Sequence, residues 1–227
     1  MIADNLHIIR QEIQESCALV SRNSEEVTLV AVTKSVGTPE AEELIQHGVV
    51  DIAENRVDLM LEKQSQLAKY TDVRWHLIGN LQRRKVKNII NQIDYFHALD
   101  SLRLAEEIQK RAEKRINCFI EVNVSGEETK HGIQPDELDQ FILSLQELTN
   151  VYIVGLMTMA PLDATENEIR QIFKALKQLQ ESIKKLEYAH APCTELSMGM
   201  SQDFTIAVEE GATFVRVGTA LFKEGRD

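Results

Sequence analysis

Lys34 stands directly after the apolar run Val27–Thr33 (VTLVAVT). An amine that ends a buried strand sits in a desolvated mouth, where burial disfavours the ammonium and leaves a better nucleophile, able to form a Schiff base with a carbonyl. The same position also suits a solvated lysine at the start of a loop. Far along the chain, Arg216-Val217-Gly218-Thr219 closes another apolar run. The backbone N–H groups of Gly218 and Thr219 can cradle a phosphate there, and Ser201, just ahead of a short helix expected near 203–210, can add a hydroxyl. Ser201 as a plain cap of that helix, and the glycines as plain turn residues, are the competing readings. Arg216 must meet an anion, a ring acceptor or a carboxylate, because a buried guanidinium left unpaired is costly. His76 and His97 also lie near strand exits, but no pair of His or Cys residues has metal-ligand spacing, so no metal is expected.

The elements that would carry these residues alternate regularly. Leu6, Ile9, Ile13, Cys17 and Val20 recur at spacings of three and four, the stripe of an amphipathic helix over 3–21. Strands are then expected near 27–33, 49–53, 73–78, 93–97, 117–123, 151–155, 193–197 and 213–217. Helices are expected between them near 38–47, 55–69, 82–90, 101–114, 135–148, 165–187 and 203–210. Eight βα units without a GxGxxG or phosphate-loop motif favour a single (β/α)8 barrel of the TIM type over an open doubly wound sheet. No Pro/Gly/Ser-rich linker breaks the chain, so residues 1–227 read as one domain, with 1–22 an extra N-terminal helix packed outside.

A barrel of this kind builds its site at the C-terminal ends of the strands. The residues found there are Lys34, Glu54, Asn55, His76, Gly79, Asn80, His97, Asn123, Met157-Thr158-Met159, Ser197 to Ser201, Arg216 and Gly218-Thr219. Polar and small side chains therefore converge on one rim. The basic stretch Arg83-Arg84-Lys85 with Lys87 reads as a solvated helix start.

Composition narrows the partners. Among 227 residues, 25 Lys and Arg against 36 Asp and Glu leave a formal charge of −11, the opposite of a nucleic-acid-binding face. No apolar run approaches the roughly 18 residues that would span a membrane, and the N-terminus lacks a leader pattern. Three scattered cysteines, Cys17, Cys118 and Cys193, read as reduced thiols of a cytoplasmic protein.

The stretches AVTK (31–34), AEN (53–55), WHLIGNLQ (75–82), HALD (97–100), EVN (121–123), KHG (130–132), GLMTMAP (155–161), ELSMGMSQDF (195–204) and GATFVRVGTALF (211–222) occur in that order. In this register they resemble the pyridoxal phosphate homeostasis protein family, single-domain relatives of the alanine racemase barrel, from about Val27 to Arg226. The resemblance implies pyridoxal 5′-phosphate (PLP) held covalently on Lys34, its phosphate on Ser201 and the backbone of Gly218 and Thr219, and its ring nitrogen facing Arg216. Asn55, His76, Met157, Ser197 and Met200 are implied to line the ring pocket, and Lys130 is a candidate second or transfer site.

An arginine at the ring nitrogen donates a hydrogen bond without giving up its proton, which weakens the electron sink used by most carbanion chemistry. Racemase relatives carry a second domain with a catalytic tyrosine, whereas ten residues follow the last expected strand here, so that second acid/base is expected to be missing. Several positions depart from the family pattern: Ser35 and Val36 stand where a second lysine is frequent, Arg84 where asparagine is common, and Ala53 and Lys223 where glycine is usual. The resulting expectation is a non-catalytic monomer that buffers PLP and delivers it to apo-enzymes. A weakly active PLP-dependent racemase, with a second base from His76, Tyr95 or a partner subunit, is the alternative. An aldolase using Lys34 on a sugar phosphate fits the barrel but fits the motifs poorly.

Overall fold

The β-branched run at 27–33 becomes β1 (Thr28–Val32), buried from Val30 to Val32 because side chains cover both its faces. The computed structural model describes residues 1–127 and 131–224. β2 (Asp51–Glu54), β3 (Arg74–Leu77), β4 (Tyr95–Leu99), β5 (Ile116–Glu121), β6 (Val151–Met157), β7 (Glu195–Ser197) and β8 (Phe214–Val217) complete a closed barrel in chain order. Every pairing is parallel, and β1 closes on β8 through Thr28 opposite Phe214 and Ala31 opposite Val217.

The helices form the outer ring. α1 (Ile2–Leu19) buries Leu6, Ile9, Ile13 and Cys17 of the predicted stripe, while Val20 falls past its end and is exposed, and the helix packs beside α2 (Thr38–Gln46). α3 (Val57–Gln66), α4 (Arg83–Ile89), α5 (Leu102–Arg111), α6 (Leu138–Ser144) and α7 (Glu166–Lys184) follow their strands as expected. α7 starts with a capping box in which Thr165 and Glu168 satisfy each other's backbone N–H groups. The helix expected over 135–148 is shorter, because Pro135 opens a single 3-10 turn before α6 begins. After α8 (Phe204–Glu209) and β8 comes an unpredicted single turn, α9 (Thr219–Phe222). Asn5 of α1 donates to the carbonyls of Leu221 and Lys223, tying the N-terminal helix to α9 and the residue that follows it.

The interior of the barrel departs from the aliphatic layers usual for this fold. His97 stacks on Phe119 with ring centroids 4.4 Å apart, His76 stacks on Tyr95 at 4.5 Å, and Phe214 packs against all four rings. The C-terminal strand ends border a cavity of about 730 Å³, and the N-terminal ends of β1, β2 and β3, with Arg10 and Ile13 of α1, line a smaller hollow of about 330 Å³.

Candidate functional site

The cavity at the C-terminal strand ends gathers most of the residues singled out by the sequence. Lys34 enters from the exit of β1, Asn55 and Gly79 from the exits of β2 and β3, and Met157 from the end of β6. Met200 and Ser201 come from the loop after β7, and Arg216, Gly218 and Thr219 from β8 and the start of α9. Its volume of about 730 Å³ lies within the range of small-molecule sites.

Close backbone approach shapes one wall. A Cβ on Gly79 would lie 2.3 Å from the Asn55 carbonyl oxygen, so only glycine lets the exit of β3 press against Asn55 and present it to the cavity. A Cβ on Gly218 would lie 3.2 Å from Val32 of β1, tighter than an ordinary van der Waals contact.

Ser201 sits where the sequence placed it but serves a different helix. Its Oγ accepts the backbone N–H groups of Gly218 and Ala220, each at 3.1 Å, and so caps α9 rather than α8. The N-cap position of α8 belongs to Asp203, whose carboxylate accepts from Met200 N at 2.6 Å. Two N–H donors that converge on one oxygen are the geometry with which a helix N-terminus receives an anionic oxygen. Ala220 was missed by the sequence reading because α9 is too short to show a periodicity.

Arg216 is buried, 4% exposed, yet borders the cavity. Its Nη1 donates to Ser197 Oγ and its Nη2 to the Thr158 carbonyl at 3.2 Å. Burial pulls the guanidinium down to about 10, with Asp203 and Glu121 opposing the shift. Arg216 therefore stays a cation at neutral pH. Asp203, itself buried, is pushed up from the usual carboxylate range.

Three expectations need correction. Lys34 borders the cavity but is exposed, which fits the solvated lysine at a loop start and not the desolvated strand-end amine. His76 and Ser197 do not wall the cavity: both are fully buried beneath it, inside the barrel. His76 lies two residues before the rim residue Ile78, which places it one layer lower, and both its ring nitrogens are engaged by Asp51 and His97. Tyr95 stacks on His76 in that lower layer, so neither residue is placed to serve as a second base at the cavity.

Other rim residues have local roles. Asn123 folds the loop after β5 by accepting from Gly126 N and donating to the Glu127 carbonyl. Lys130 lies outside the described residues. Arg83, Arg84, Lys85 and Lys87 are exposed on α4, as a solvated helix start should be. Asp51, which anchors His76 and Arg74, was missed; the signal available was an isolated acid inside the apolar run VVDIA.

The relatives of this chain match both its length and its barrel. The alanine racemase N-terminal domain family matches residues 6–225. A pyridoxal phosphate homeostasis protein of Aquifex aeolicus is 40% identical over 224 residues, covering 97% of each chain. The structure of PipY of Synechococcus elongatus PCC7942 with PLP bound superimposes with a TM-score of 0.84 at 32% identity, over 98% of this chain and 100% of that one. Alanine racemase from Corynebacterium glutamicum shares the fold, with a TM-score of 0.74 at 14% identity, but this chain spans 60% of its length. The chain belongs to the alanine racemase N-terminal domain family and, within it, to the pyridoxal phosphate homeostasis proteins.

Proposed function

We propose that this protein binds PLP reversibly in the cavity at the C-terminal end of the barrel and takes part in its intracellular homeostasis, without turnover of its own. The observation that carries the reading is the convergence of three groups on one cavity: the Lys34 amine, the N–H pair gathered on Ser201, and the buried Arg216 cation. When bound, the cofactor supplies an aldehyde that combines reversibly with amines. Lys34 is the covalent attachment point. Ser201, with the backbone of Gly218 and Thr219, holds the phosphate, while Asn55, Met157 and Met200 border the ring.

Arg216 meets the ring nitrogen as an N–H donor. Because it remains a cation at neutral pH, it keeps its proton there, which suits storage of the cofactor better than catalysis through it. The open mouth at Lys34 suits release, and the exposed apolar Met159 and Leu162 on the loop after β6 offer a contact surface to receiving apo-enzymes. Lys130 is the candidate second or transfer site. The chain acts as a monomer in the cytoplasm, a compartment that suits its buried free thiols Cys17, Cys118 and Cys193. Among the described residues no helix is long and apolar enough to cross a membrane.

The test is the absorption spectrum of the purified chain with PLP, before and after borohydride, beside Lys34→Ala. A visible band that reduction converts to a stable adduct on Lys34, absent in the variant and unaccompanied by turnover of added amino acids, is the expected result. A chain that PLP does not colour overturns the reading.

A further inference from the structure

The polar groups beneath the cavity form one continuous line. Arg216 Nη1 donates to Ser197 Oγ, which lies 2.8 Å from His97 Nδ1. His97 Nε2 lies 2.8 Å from His76 Nδ1, and His76 Nε2 lies 2.8 Å from Asp51 Oδ1. Arg74 ends the line by donating to both Asp51 oxygens, at 2.8 and 2.6 Å. Ser197, His97 and His76 are each 0% exposed, so the line crosses the barrel interior without solvent and emerges where Asp51 and Arg74 border the N-terminal hollow.

The ends of this line determine its direction. Arginine only donates and an ionised carboxylate only accepts. His76 Nε2 must therefore carry a proton toward Asp51, because a bare nitrogen facing a carboxylate oxygen would be repelled. A neutral His76 then has a bare Nδ1, which takes the Nε2 proton of His97. His97 Nδ1 is bare in turn and accepts the Ser197 hydroxyl, and the Ser197 oxygen is left to accept from Arg216. Burial holds both imidazoles neutral, pulling each below the usual histidine value, most strongly at His97.

We propose that this line is a positioning relay, in which Ser197, His97, His76 and Asp51 fix the aim of the Arg216 guanidinium at the ring nitrogen of the bound ligand. This rests on the reading of the cavity as a PLP site. Each donated hydrogen bond polarises the next, so the negative charge of Asp51 makes the Ser197 oxygen a stronger acceptor for Arg216 than an isolated serine would be. Remote from the cavity, Asp51 thereby acts on the cofactor through four intervening side chains. A barrel core of branched aliphatic side chains would avoid the cost of burying these groups, and it would also leave Arg216 without an acceptor on that side.

The first measurement uses the full chain without added ligand. Long-range proton–nitrogen spectra of histidine-labelled protein, assigned with His97→Gln, are expected to show both rings neutral, protonated on Nε2 and bare on Nδ1. A protonated Nδ1 on His97 overturns the relay.

The second compares PLP binding to His97→Phe, which keeps a ring against Phe119 but removes both hydrogen bonds, with His97→Gln, which restores a donor and an acceptor. His97→Phe is expected to trap PLP on Lys34 with borohydride, to bind about tenfold more weakly and to shift the absorption band, and His97→Gln to recover part of both. Unchanged affinity and band in His97→Phe overturn the relay. Should His97→Phe fail to fold, Asp51→Asn changes the far end of the line without touching the cavity, with a shifted band expected and an unchanged one overturning. If the unsubstituted chain does not trap PLP on Lys34, the function reading falls, while the ring tautomers still decide whether the line runs as assigned.

Discussion

The hydroxyl of Ser201, after β7, accepts the backbone N–H of Gly218, at the end of β8, at 3.1 Å. The same oxygen accepts from Ala220 at 3.1 Å, so the Ser201 side chain caps the first turn of α9 at the cavity wall. Replacing it by alanine removes a hydroxyl from the phosphate cradle. Ser201→Ala should weaken PLP binding about tenfold while changing the affinity for phosphate-free pyridoxal much less, as titration of both ligands would measure.

Lys63 of α3 reaches the barrel wall, where it pairs with Glu54 and donates to the Thr33 carbonyl at 2.6 Å. It thus holds the backbone one residue before Lys34. The pair is almost fully buried, and Glu54 Oε2 has no hydrogen-bond partner among the described residues. Breaking such a pair on one side strands a buried charge. Lys63→Met should cost about 3–5 kcal/mol of stability in urea denaturation, and the double variant Lys63→Met/Glu54→Leu should recover much of it.

Acid sensitivity should arise from the buried histidines. Burial lowers His76 and His97 below their unfolded value of about 6.5, so the unfolded chain binds protons that the folded chain refuses. Their contribution is fully present above the unfolded value and declines as pH falls below it. The urea midpoint should therefore fall between about pH 7 and 5, with a shallower slope in His97→Gln, which removes one of the two groups.

Gly79 tests the cavity wall. Because a Cβ there would meet the Asn55 carbonyl at 2.3 Å, Gly79→Ala must push apart the exits of β2 and β3. A loss of about 1–3 kcal/mol in stability and weaker PLP binding are expected, by urea denaturation and ligand titration, with Lys34 still reactive to borohydride trapping.

Much of this protein was legible in its residues. Runs such as Val27–Thr33 and Val151–Gly155 are too short for core helices and too apolar for surface strands, and eight such units in series favour the parallel barrel that forms. The barrel then placed Lys34, Asn55, Met157, Ser201, Arg216 and Gly218 on one rim, since strand ends define its site face. Tertiary structure decided what a one-dimensional pattern does not encode: the depth of a side chain and its partner across the barrel. His76 and Ser197 lie at strand positions that read as rim residues, yet they belong to a lower layer, where Asp51 and Arg216 hold the two ends of their hydrogen-bonded line. The competing reading of Ser201 as a cap of α8 came from the helix that follows it in sequence, whereas the donors it satisfies come from a single turn 17 and 19 residues away. Local propensity sets which elements form, but hydrogen bonds between strands distant in sequence exist only once the barrel has closed.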